Sequence, residues 1–423
     1  MDFLILPLIT FADSFNKIFV RKVFSMIKIK RLILPLLIMT LLIFSGQVEA
    51  KEIKPLFGIY KIISHESDEF LSQTWTQIYL TGDAAKAYPK LNKALAQYSK
   101  KLGEDAKTRD RKFHENALTL KQEAPQIFHT FSDKIDIIVR RADSIALSLM
   151  EECSDYTGGV HGMYGWFGVN FDTSTGKQLK ISDICSDTTN LTNIIMTRLH
   201  EDYPQSPFEN AQERIEKYIA EDTLNFTIDP DGISIYFNPY EIGSYAEGLF
   251  CAKLLFNEYP NIFNSKYAQV PKNYCQTLPL HYSNIVSFKN GMRNFITVTT
   301  NINEQCKVMT GGGTAEDRSG LRGLKQPVLV HLENGKNYLY IDGYVEDKGR
   351  RLHVYEIDDN KIELVWILPY TFKNLVGSPK YETWYIPTNP NSIEFDSLEP
   401  MGANGDLTSH FGGINADGSF SFG

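Results

Sequence analysis

The sequence lacks the short motifs that identify common hydrolases, nucleotide-binding proteins and zinc enzymes. It has no Gly-x-Ser-x-Gly and no His-Glu-x-x-His, and Gly176-Lys177 lacks the upstream glycine and the following Ser/Thr of a phosphate-binding loop. None of the nine histidines stands four residues from another, so the His-x-x-x-His spacing of many metal sites is absent. Adjacent carboxylates such as Glu151 and Glu152 are common in an acidic chain and do not by themselves indicate glycoside hydrolysis. Local motifs therefore assign no catalytic residue, metal or cofactor.

An apolar run long enough for a typical membrane-spanning helix is also missing. The basic stretch Met26–Arg31 is followed by the apolar run Leu32–Phe44 and by small residues ending at Ala50, which is the order of a secretory signal peptide. A spanning helix usually needs about 18 or more apolar residues. We therefore expect residues 1–50 to be removed, with Met26 as the true start, Lys51 as the mature N-terminus and no stable span afterwards. A retained signal anchor is the alternative. We expect an exported protein that is periplasmic, secreted or associated with the cell envelope.

Excess positive charge is lacking as well. Residues 1–50 carry six Lys/Arg and three Asp/Glu, so their removal changes the formal net charge from −8 to about −11. We expect no nucleic acid partner for so acidic a chain, whereas a cationic protein would be attracted to it. The 22 tyrosines and 26 phenylalanines supply enough apolar surface for a folded core.

Cysteines are few, and no two of the five are spaced as Cys-x-x-C. All of them follow residue 50, where an exported chain can form disulfides. We expect Cys275 to pair with Cys306 and Cys153 to pair with Cys185, while Cys251, inside an apolar run, stays a thiol. A Cys275–Cys306 bridge would close a loop of about 30 residues and contribute roughly 3–4 kcal/mol in the chain-entropy model.

The segment after the signal peptide alternates helical and strand patterns. Apolar residues recur at helical spacing from Tyr88 to Leu102, and Gly103 is expected to end that helix before a second, solvated helix. The runs Leu224–Ile228 and Ile233–Phe237, joined by Asp-Pro-Asp-Gly, predict a hairpin. Helices and hairpins follow one another without a βαβ rhythm, which predicts an α+β fold with an antiparallel sheet and packed helices.

The chain changes character near Cys275. Strand patterns at Val328–Leu332, Tyr338–Asp342, Leu352–Ile357 and Ile362–Ile367 are separated by polar turns and predict a meander. We therefore divide the exported chain into an α+β domain at residues 51–275 and a smaller β-rich domain at residues 276–423.

The densest local signal is the glycine-rich run Tyr156–Gly168, which contains His161 and Tyr164. Its glycines permit positive φ angles and close backbone approach, so this chain can fold tightly between two strands. His161 could then serve as a base or a ligand in a rigid loop, or it could simply hydrogen-bond its own turn.

A second signal, the run Asn238–Gly248, directly follows the predicted hairpin. It carries Tyr240, Glu241, Tyr245 and Glu247, and rigid aromatic side chains with acidic neighbours are typical of protein-recognition surfaces. Alternatively, both tyrosines pack inward and tether the loop through their hydroxyl groups.

Taken in order, these motifs resemble one extracytoplasmic domain. The motifs are Tyr156-x-Gly-Gly-x-His-Gly, Asn170-Phe171-Asp172, Thr175-Gly176-Lys177, Ile181-Ser182-Asp183-Ile184, Phe237-x-Pro-Tyr-Glu-Ile and Tyr245-Ala246-x-Gly248. The pattern is similar to the ectodomain of RsiV-like, lysozyme-binding anti-sigma factors, which is also the accessory region of PdaC-type peptidoglycan deacetylases. The likeness extends over roughly Glu52 to Asn264.

The resemblance implies a binding module without catalytic activity, with the loop Tyr240–Tyr245 as its contact. Two departures narrow what it implies. Only about 25 residues precede the basic stretch, so we do not expect a cytoplasmic sigma-binding segment. The deacetylase pattern of Asp-Asp and His-x-x-x-His is absent.

We therefore expect a non-enzymatic binding protein of the cell envelope. Its partner would be a cationic wall-degrading enzyme such as lysozyme, or a wall glycan. The predicted contact residues are Tyr240, Glu241, Tyr245, Glu247, His161 and Tyr164. The alternative is an enzyme that modifies peptidoglycan or another polysaccharide, with a site formed by His161 and an acid such as Asp155 or Glu241.

Overall fold

The computed structural model describes residues 52–288, 291–316, 319–375, 380–397 and 409–422. The predicted signal peptide and the expected mature N-terminus at Lys51 lie outside these residues. From Ile53 onward the chain forms one compact unit. No helix of the described part is both long enough and apolar enough to cross a membrane.

Helices occupy the first half of the described chain. They are α1 Gly82–Ala87, α2 Pro89–Glu123, α3 Ile181–Ile184, α4 Leu191–Asp202 and α5 Ala211–Ala220.

Strands occur throughout the described part of the chain. In the first half they are β1 Ile59–Ser67, β2 Leu71–Leu80, β3 Phe131–Ala142, β4 Ala146–Tyr156, β5 Met163–Asp172, β6 Phe226–Ile228, β7 Gly232–Phe237 and β8 Phe250–Leu255. In the second half they are β9 Tyr274–Thr277, β10 Ser283–Ser287, β11 Arg293–Thr300, β12 Cys306–Thr310, β13 Gly313–Glu316, β14 Val328–His331, β15 Asn337–Val345, β16 Gly349–Ile357, β17 Ile362–Leu368, β18 Tyr370–Phe372, β19 Asn374–Leu375, β20 Tyr381–Tyr385, β21 Ile393–Ser397, β22 Ser409–Ile414 and β23 Phe420–Phe422. This mixture of helices with mainly antiparallel sheets, followed by a mostly-β region, confirms the predicted α+β class.

The largest sheet among the described residues, called the long sheet below, has seven strands in the order β19-β20-β1-β2-β3-β4-β5. Its β2–β3 pair is parallel, because α1 and α2 carry the chain back between them, and its other pairs are antiparallel. Side chains alternate along β3, so Ile137 and Val139 pack under α2 while Ile138 lies in a different cluster with Trp166.

Helix α2 does not end at Gly103, contrary to the sequence prediction. It continues to Glu123. Gly103 stands inside the helix where the helix comes close to strand β2 of the sheet. The Gln77 side-chain amide of β2 donates to the Ser99 carbonyl at 2.8 Å. A Cβ at position 103 would lie 3.1 Å from that amide nitrogen, so the glycine makes room for the contact inside the helix.

Helices α3 to α5 cover a second sheet, called the short sheet below, which has three strands in the order β6-β7-β8. The β6–β7 pair is the predicted hairpin, with Thr227 opposite Ser234. Asn190 stands at the N-cap of α4 but makes no side-chain cap bond. Its side-chain oxygen accepts instead from the Asn193 amide at 2.8 Å.

The predicted meander is confirmed as β14-β15-β16-β17, which forms a five-stranded sheet with β9. Two further four-stranded sheets, β10–β13 and β18-β21-β22-β23, accompany it. Strand β20 leaves this region and pairs with β1 in the long sheet. The division at residue 275 stays a prediction, and the β-rich region is joined to the first half through that pairing.

The expected disulfide pairs are not formed. Cys153, Cys185 and Cys275 are thiols, so neither Cys275–Cys306 nor Cys153–Cys185 is bridged. Cys275 and Cys306 lie in two separate hydrophobic clusters, and Cys185 belongs to the core beneath the short sheet whereas Cys153 lies on β4. Cys251 is also a thiol, as expected.

A buried ion cluster joins the sheets. The Arg140 guanidinium on β3 donates to both carboxylate oxygens of Asp229, each at 3.0 Å. Lys253 on β8 contacts Asp229 at 2.6 Å and Asp231 at 2.7 Å. The Arg140, Asp229 and Lys253 side chains are at most 3% exposed. Burial opposes ionisation of Asp229, but Arg140 and Lys253 outweigh it and hold the pKa of this carboxyl well below its ordinary value. Two cations and two carboxylates therefore balance within the core.

We expect Asp229→Asn to destabilise the protein by about 3–5 kcal/mol, because Arg140 and Lys253 would stay buried without a full countercharge. Since the folded-state pKa of Asp229 is depressed, the wild-type contribution is present above the ordinary aspartate pKa of about 4 and is lost as pH falls through the folded-state value. Urea unfolding at neutral and acid pH measures both effects. Asp83→Asn, in an exposed pair with Lys86, is the matched control and should change little. Equal stabilities for the two variants at neutral pH would contradict the assignment.

Candidate functional site

Strand β5 lies at the edge of the long sheet, and two asparagine side chains take the place of a neighbouring strand. Asn225 accepts from the Gly168 backbone N–H at 2.8 Å and donates to the Trp166 carbonyl at 2.7 Å. Asn238 accepts from the Trp166 backbone N–H at 2.7 Å. A Cβ at Gly168 would lie 1.8 Å from the Phe226 carbonyl oxygen, so only glycine lets the short sheet dock this closely. The loop before β5 and the loop after β7 are consequently held side by side.

The first loop, residues 157–162, is the predicted glycine-rich turn. Gly158 has φ of 85°, and a Cβ there would lie 2.5 Å from the Leu120 side chain. At Gly162 a Cβ would lie 2.5 Å from the Asp155 carbonyl oxygen. The loop therefore needs both glycines, and it presents Val160 and His161 to solvent.

The second loop, residues 238–248, is fixed by its own polar groups. Arg214 of α5 donates to the carbonyl oxygens of Tyr240 and Glu241 at 3.1 and 2.6 Å. The Glu241 carboxylate accepts from the Asn238 N–H at 2.7 Å, and the Glu247 carboxylate accepts from the Ser244 N–H at 2.8 Å. These hydrogen bonds leave Tyr240 with φ of 72° and 54% of its surface exposed.

The aromatic side chains of the two loops meet, and Tyr245 is their centre. The His161 ring stacks on Tyr245 with centroids 3.8 Å apart and planes 20° apart. Tyr164 meets Tyr245 edge to face at 5.8 Å, and Tyr240 lies tilted at 5.7 Å. The Tyr245 hydroxyl donates to the Gly162 carbonyl at 2.6 Å. We call these four residues, His161, Tyr164, Tyr240 and Tyr245, the aromatic surface.

The structure thus brings together residues that are far apart in the sequence and that were predicted as one contact surface. Glu241 and Glu247 lie on the same loop as the tyrosines, although each carboxylate also caps its own backbone. Burial raises the pKa of Glu241, whereas the hydrogen bonds from Ser244 lower the pKa of Glu247 and keep it ionised. Tyr245 tethers the loops through its hydroxyl group, whereas Tyr240 faces solvent rather than packing inward.

In the described part of the chain, His161 forms no hydrogen bond with an acidic side chain that could act with it in acid–base catalysis. Its ring nitrogen Nδ1 lies 2.9 Å from the Gly162 carbonyl, which is the local bond that a structural histidine would make. It makes no hydrogen bond to Asp155 or Glu241 there. The described residues also contain no group of three or more His, Cys, Asp or Glu arranged to hold a metal ion.

Sequence reasoning missed the residues that position the surface. Asn225, Asn238 and Arg214 act through backbone groups of other segments, and no local pattern reveals such a bond. Met163 and Val160 add exposed apolar area, 40% and 102% exposed. The exposed apolar side chains beside a glycine-rich run were a signal that could have been used.

Comparison with known proteins identifies a family over part of the chain. Residues 182–256 match the family described as "Protein of unknown function (DUF3298)", so the second loop lies inside the matched segment and the first lies outside it. No curated protein matches the chain.

Two solved structures from that family are similar to the chain. One, from Bacteroides fragilis NCTC 9343, has 19% identity and a TM-score of 0.38 and covers 50% of this chain and 96% of its own. The other, from Pseudomonas aeruginosa PAO1, has 14% identity and a TM-score of 0.35 and covers 51% of this chain and 97% of its own. At these scores the two structures do not indicate what this chain binds.

Tyr245→Phe tests whether the tyrosine hydroxyl ties the two loops together. We expect a loss of about 1 kcal/mol in unfolding free energy, because the hydrogen bond to Gly162 disappears while the ring remains. Limited proteolysis should also cut residues 157–162 faster. Tyr240→Phe is the matched control, since its hydroxyl has no hydrogen-bond partner among the described residues, and it should behave as wild type. Equal effects of the two variants would show that the Tyr245 hydroxyl does not hold the loops.

Proposed function

We propose that this chain is an exported, non-enzymatic, RsiV-like binding protein of the cell envelope, and that its aromatic surface binds a cationic wall-degrading protein such as a c-type lysozyme. The observation that carries the proposal is that His161 of the first loop, Tyr164 of β5, and Tyr240 and Tyr245 of the second loop converge into one cluster at the sheet edge.

The composition of the surface supports protein recognition. Tyrosine offers a large contact area at a small cost in side-chain entropy and is enriched among residues that dominate binding energy. Methionine and aromatic residues are also enriched at interfaces, and Met163 and Tyr240 are both exposed beside the cluster. Because Tyr245 is already fixed by stacking and by its hydroxyl, little further ordering is needed on binding.

Electrostatics supports a cationic partner. The ionised Glu247 lies at the edge of the surface, and the chain without residues 1–50 carries a net charge of about −11. Such a charge attracts a basic protein over distances comparable with the screening length and speeds encounter. The contact itself would rest on the tyrosines, and the charge would chiefly set the association rate.

The binding test uses the mature chain and a c-type lysozyme, with affinity measured by calorimetry. We expect Tyr240→Ala and Tyr245→Ala each to weaken binding by about tenfold or more, as for interface hot spots. The matched control is Tyr344→Ala, since Tyr344 is 52% exposed, close to the 54% of Tyr240, but lies on β15. It should bind as wild type.

Salt provides the second half of this test. Raising the ionic strength from about 0.01 M to about 0.15 M shortens the screening length from about 30 Å to about 8 Å, so the association rate should fall while the dissociation rate changes little. No detectable affinity at the lower salt, or equal losses in the Tyr240 and Tyr344 variants, would contradict the proposal. Turnover of peptidoglycan by the wild type that is lost in His161→Ala would favour an enzyme instead.

A further inference from the structure

A cleft separate from the centre of the aromatic surface lies between the long sheet and the β-rich region. It has a volume of about 680 Å³, within the roughly 300–1,000 Å³ of small-molecule sites. One wall is formed by residues of β1 to β5 and by residues 382–387, which include part of β20 beside β1, and the other by residues 277–282 and 324–328. These three segments are far apart in the sequence, so no local pattern could reveal the cleft. Tyr164 lines both the cleft and the aromatic surface.

The charged groups on the floor of the cleft are fixed by one another. Lys61 and Asp136 form an ion pair at 2.8 Å, with side chains 11% and 14% exposed. Asp136 also accepts from the Thr76 hydroxyl at 3.2 Å and from the Gln326 amide at 3.1 Å. The floor is therefore polar but locally neutral, and a ligand finds its hydrogen-bonding groups already held in place.

Aromatic rings line the walls. Trp166 and Tyr282 meet edge to face with centroids 4.2 Å apart, and Tyr164 also lines the cleft. Tyr282 and Tyr164 are half-buried, and their hydroxyl groups have no hydrogen-bond partner among the described residues. Burial raises the pKa of Tyr282 to about 12, so its hydroxyl stays protonated and can donate. Polar tips on rings of this kind usually find a partner when buried.

Charged residues of both signs line the rest of the cleft, including Lys134, Lys325, Glu152, Asp342 and Glu382. The Lys134 ammonium and the Glu152 carboxylate lie 4.0 Å apart, which is longer than a hydrogen bond and leaves each with capacity for another. A polyanionic ligand would meet Glu152 and Asp136, and a polycationic one would meet Lys61 and Lys134. A purely apolar ligand would bury these groups without new hydrogen bonds, which opposes its binding.

We infer that the cleft binds an uncharged oligosaccharide. A pyranose ring has an apolar C–H face, which packs on the electron-rich face of an aromatic ring, and a rim of hydroxyl groups that both donate and accept. Tyr282 and Tyr164, which line the cleft and are only half-buried, supply the ring faces. Lys134, Glu152 and the two free tyrosine hydroxyls supply the rim contacts. The inference does not depend on the proposed protein partner.

The test titrates the mature chain with three neutral tetrasaccharides, of N-acetylglucosamine, of β-1,4-linked glucose and of α-1,4-linked glucose. Tryptophan fluorescence and calorimetry report binding, since Trp166 and Trp384 line the cleft. We expect saturable binding of at least one of the three. Which one binds identifies the linkage and substituent. Inorganic phosphate and tetralysine serve as charged counter-probes and should not compete.

Matched variants place the ligand in the cleft. Tyr282→Ala should weaken binding by about tenfold, as for aromatic contacts in binding sites. Tyr282→Phe, which keeps the packing, should weaken it severalfold through the lost hydroxyl contact. Tyr344→Ala, outside the cleft, should bind the saccharide as wild type, and Tyr282→Phe should keep its lysozyme affinity.

Three results would overturn the inference. They are no saturation by any of the three saccharides up to millimolar concentration, binding of phosphate or tetralysine in their place, or full affinity in the folded Tyr282→Ala variant. If the wild-type chain bound a saccharide but showed no detectable affinity for lysozyme, that result would count against the proposed function alone.

Discussion

The ion pair between Arg140 and Asp229 is the contact on which the arrangement of the sheets depends. Arg140 belongs to the long sheet and Asp229 to the turn of the short hairpin, and the guanidinium also donates to the Thr277 carbonyl at 3.3 Å and to the Asn284 side chain at 3.4 Å. The Arg140 guanidinium thus contacts the turn of the short hairpin, the Thr277 backbone and the Asn284 side chain. A buried charge tolerates few alternative geometries, because any displacement leaves it without its countercharge.

Both proposed binding regions lie around this contact. Docking the short sheet against β5 sets Asn225 and Asn238 on the edge strand, and those two amides place the loops of the aromatic surface side by side. On the other side, Thr277 begins the segment that forms the far wall of the cleft. The aromatic surface and the cleft share Tyr164. A protein bound at the surface and a ligand bound in the cleft would therefore be neighbours.

Much of the local structure could be predicted from the sequence. The meander from Val328 to Leu368 and the hairpin around Asp-Pro-Asp-Gly follow from alternation and turn residues, which are local signals. The loops of the aromatic surface were also recognisable, since glycine spacing and clustered tyrosines lie within short stretches. These patterns identify the residues of the two loops but do not predict which side chains contact one another.

What could not be predicted depends on pairs that are distant in sequence. Gly103 reads as a helix end until Gln77 is seen beside it. The pairing of β1 with β20, and the cleft beside it, join segments more than 300 residues apart. The cysteines were misassigned for the same reason, since spacing along the chain did not place Cys275 and Cys306 in different clusters. Arg140 and Lys253, charges inside apolar strands, were a usable sign of a buried ion cluster that the pattern analysis did not take up.

Amide hydrogen exchange on the mature protein, with and without saturating c-type lysozyme, tests the central claim most directly. If the two loops form one contact surface, exchange should slow together at residues 157–164 and 239–247, while the meander at residues 337–357 exchanges as before. Slowed exchange in only one loop, or in the meander with both loops unchanged, would contradict the account.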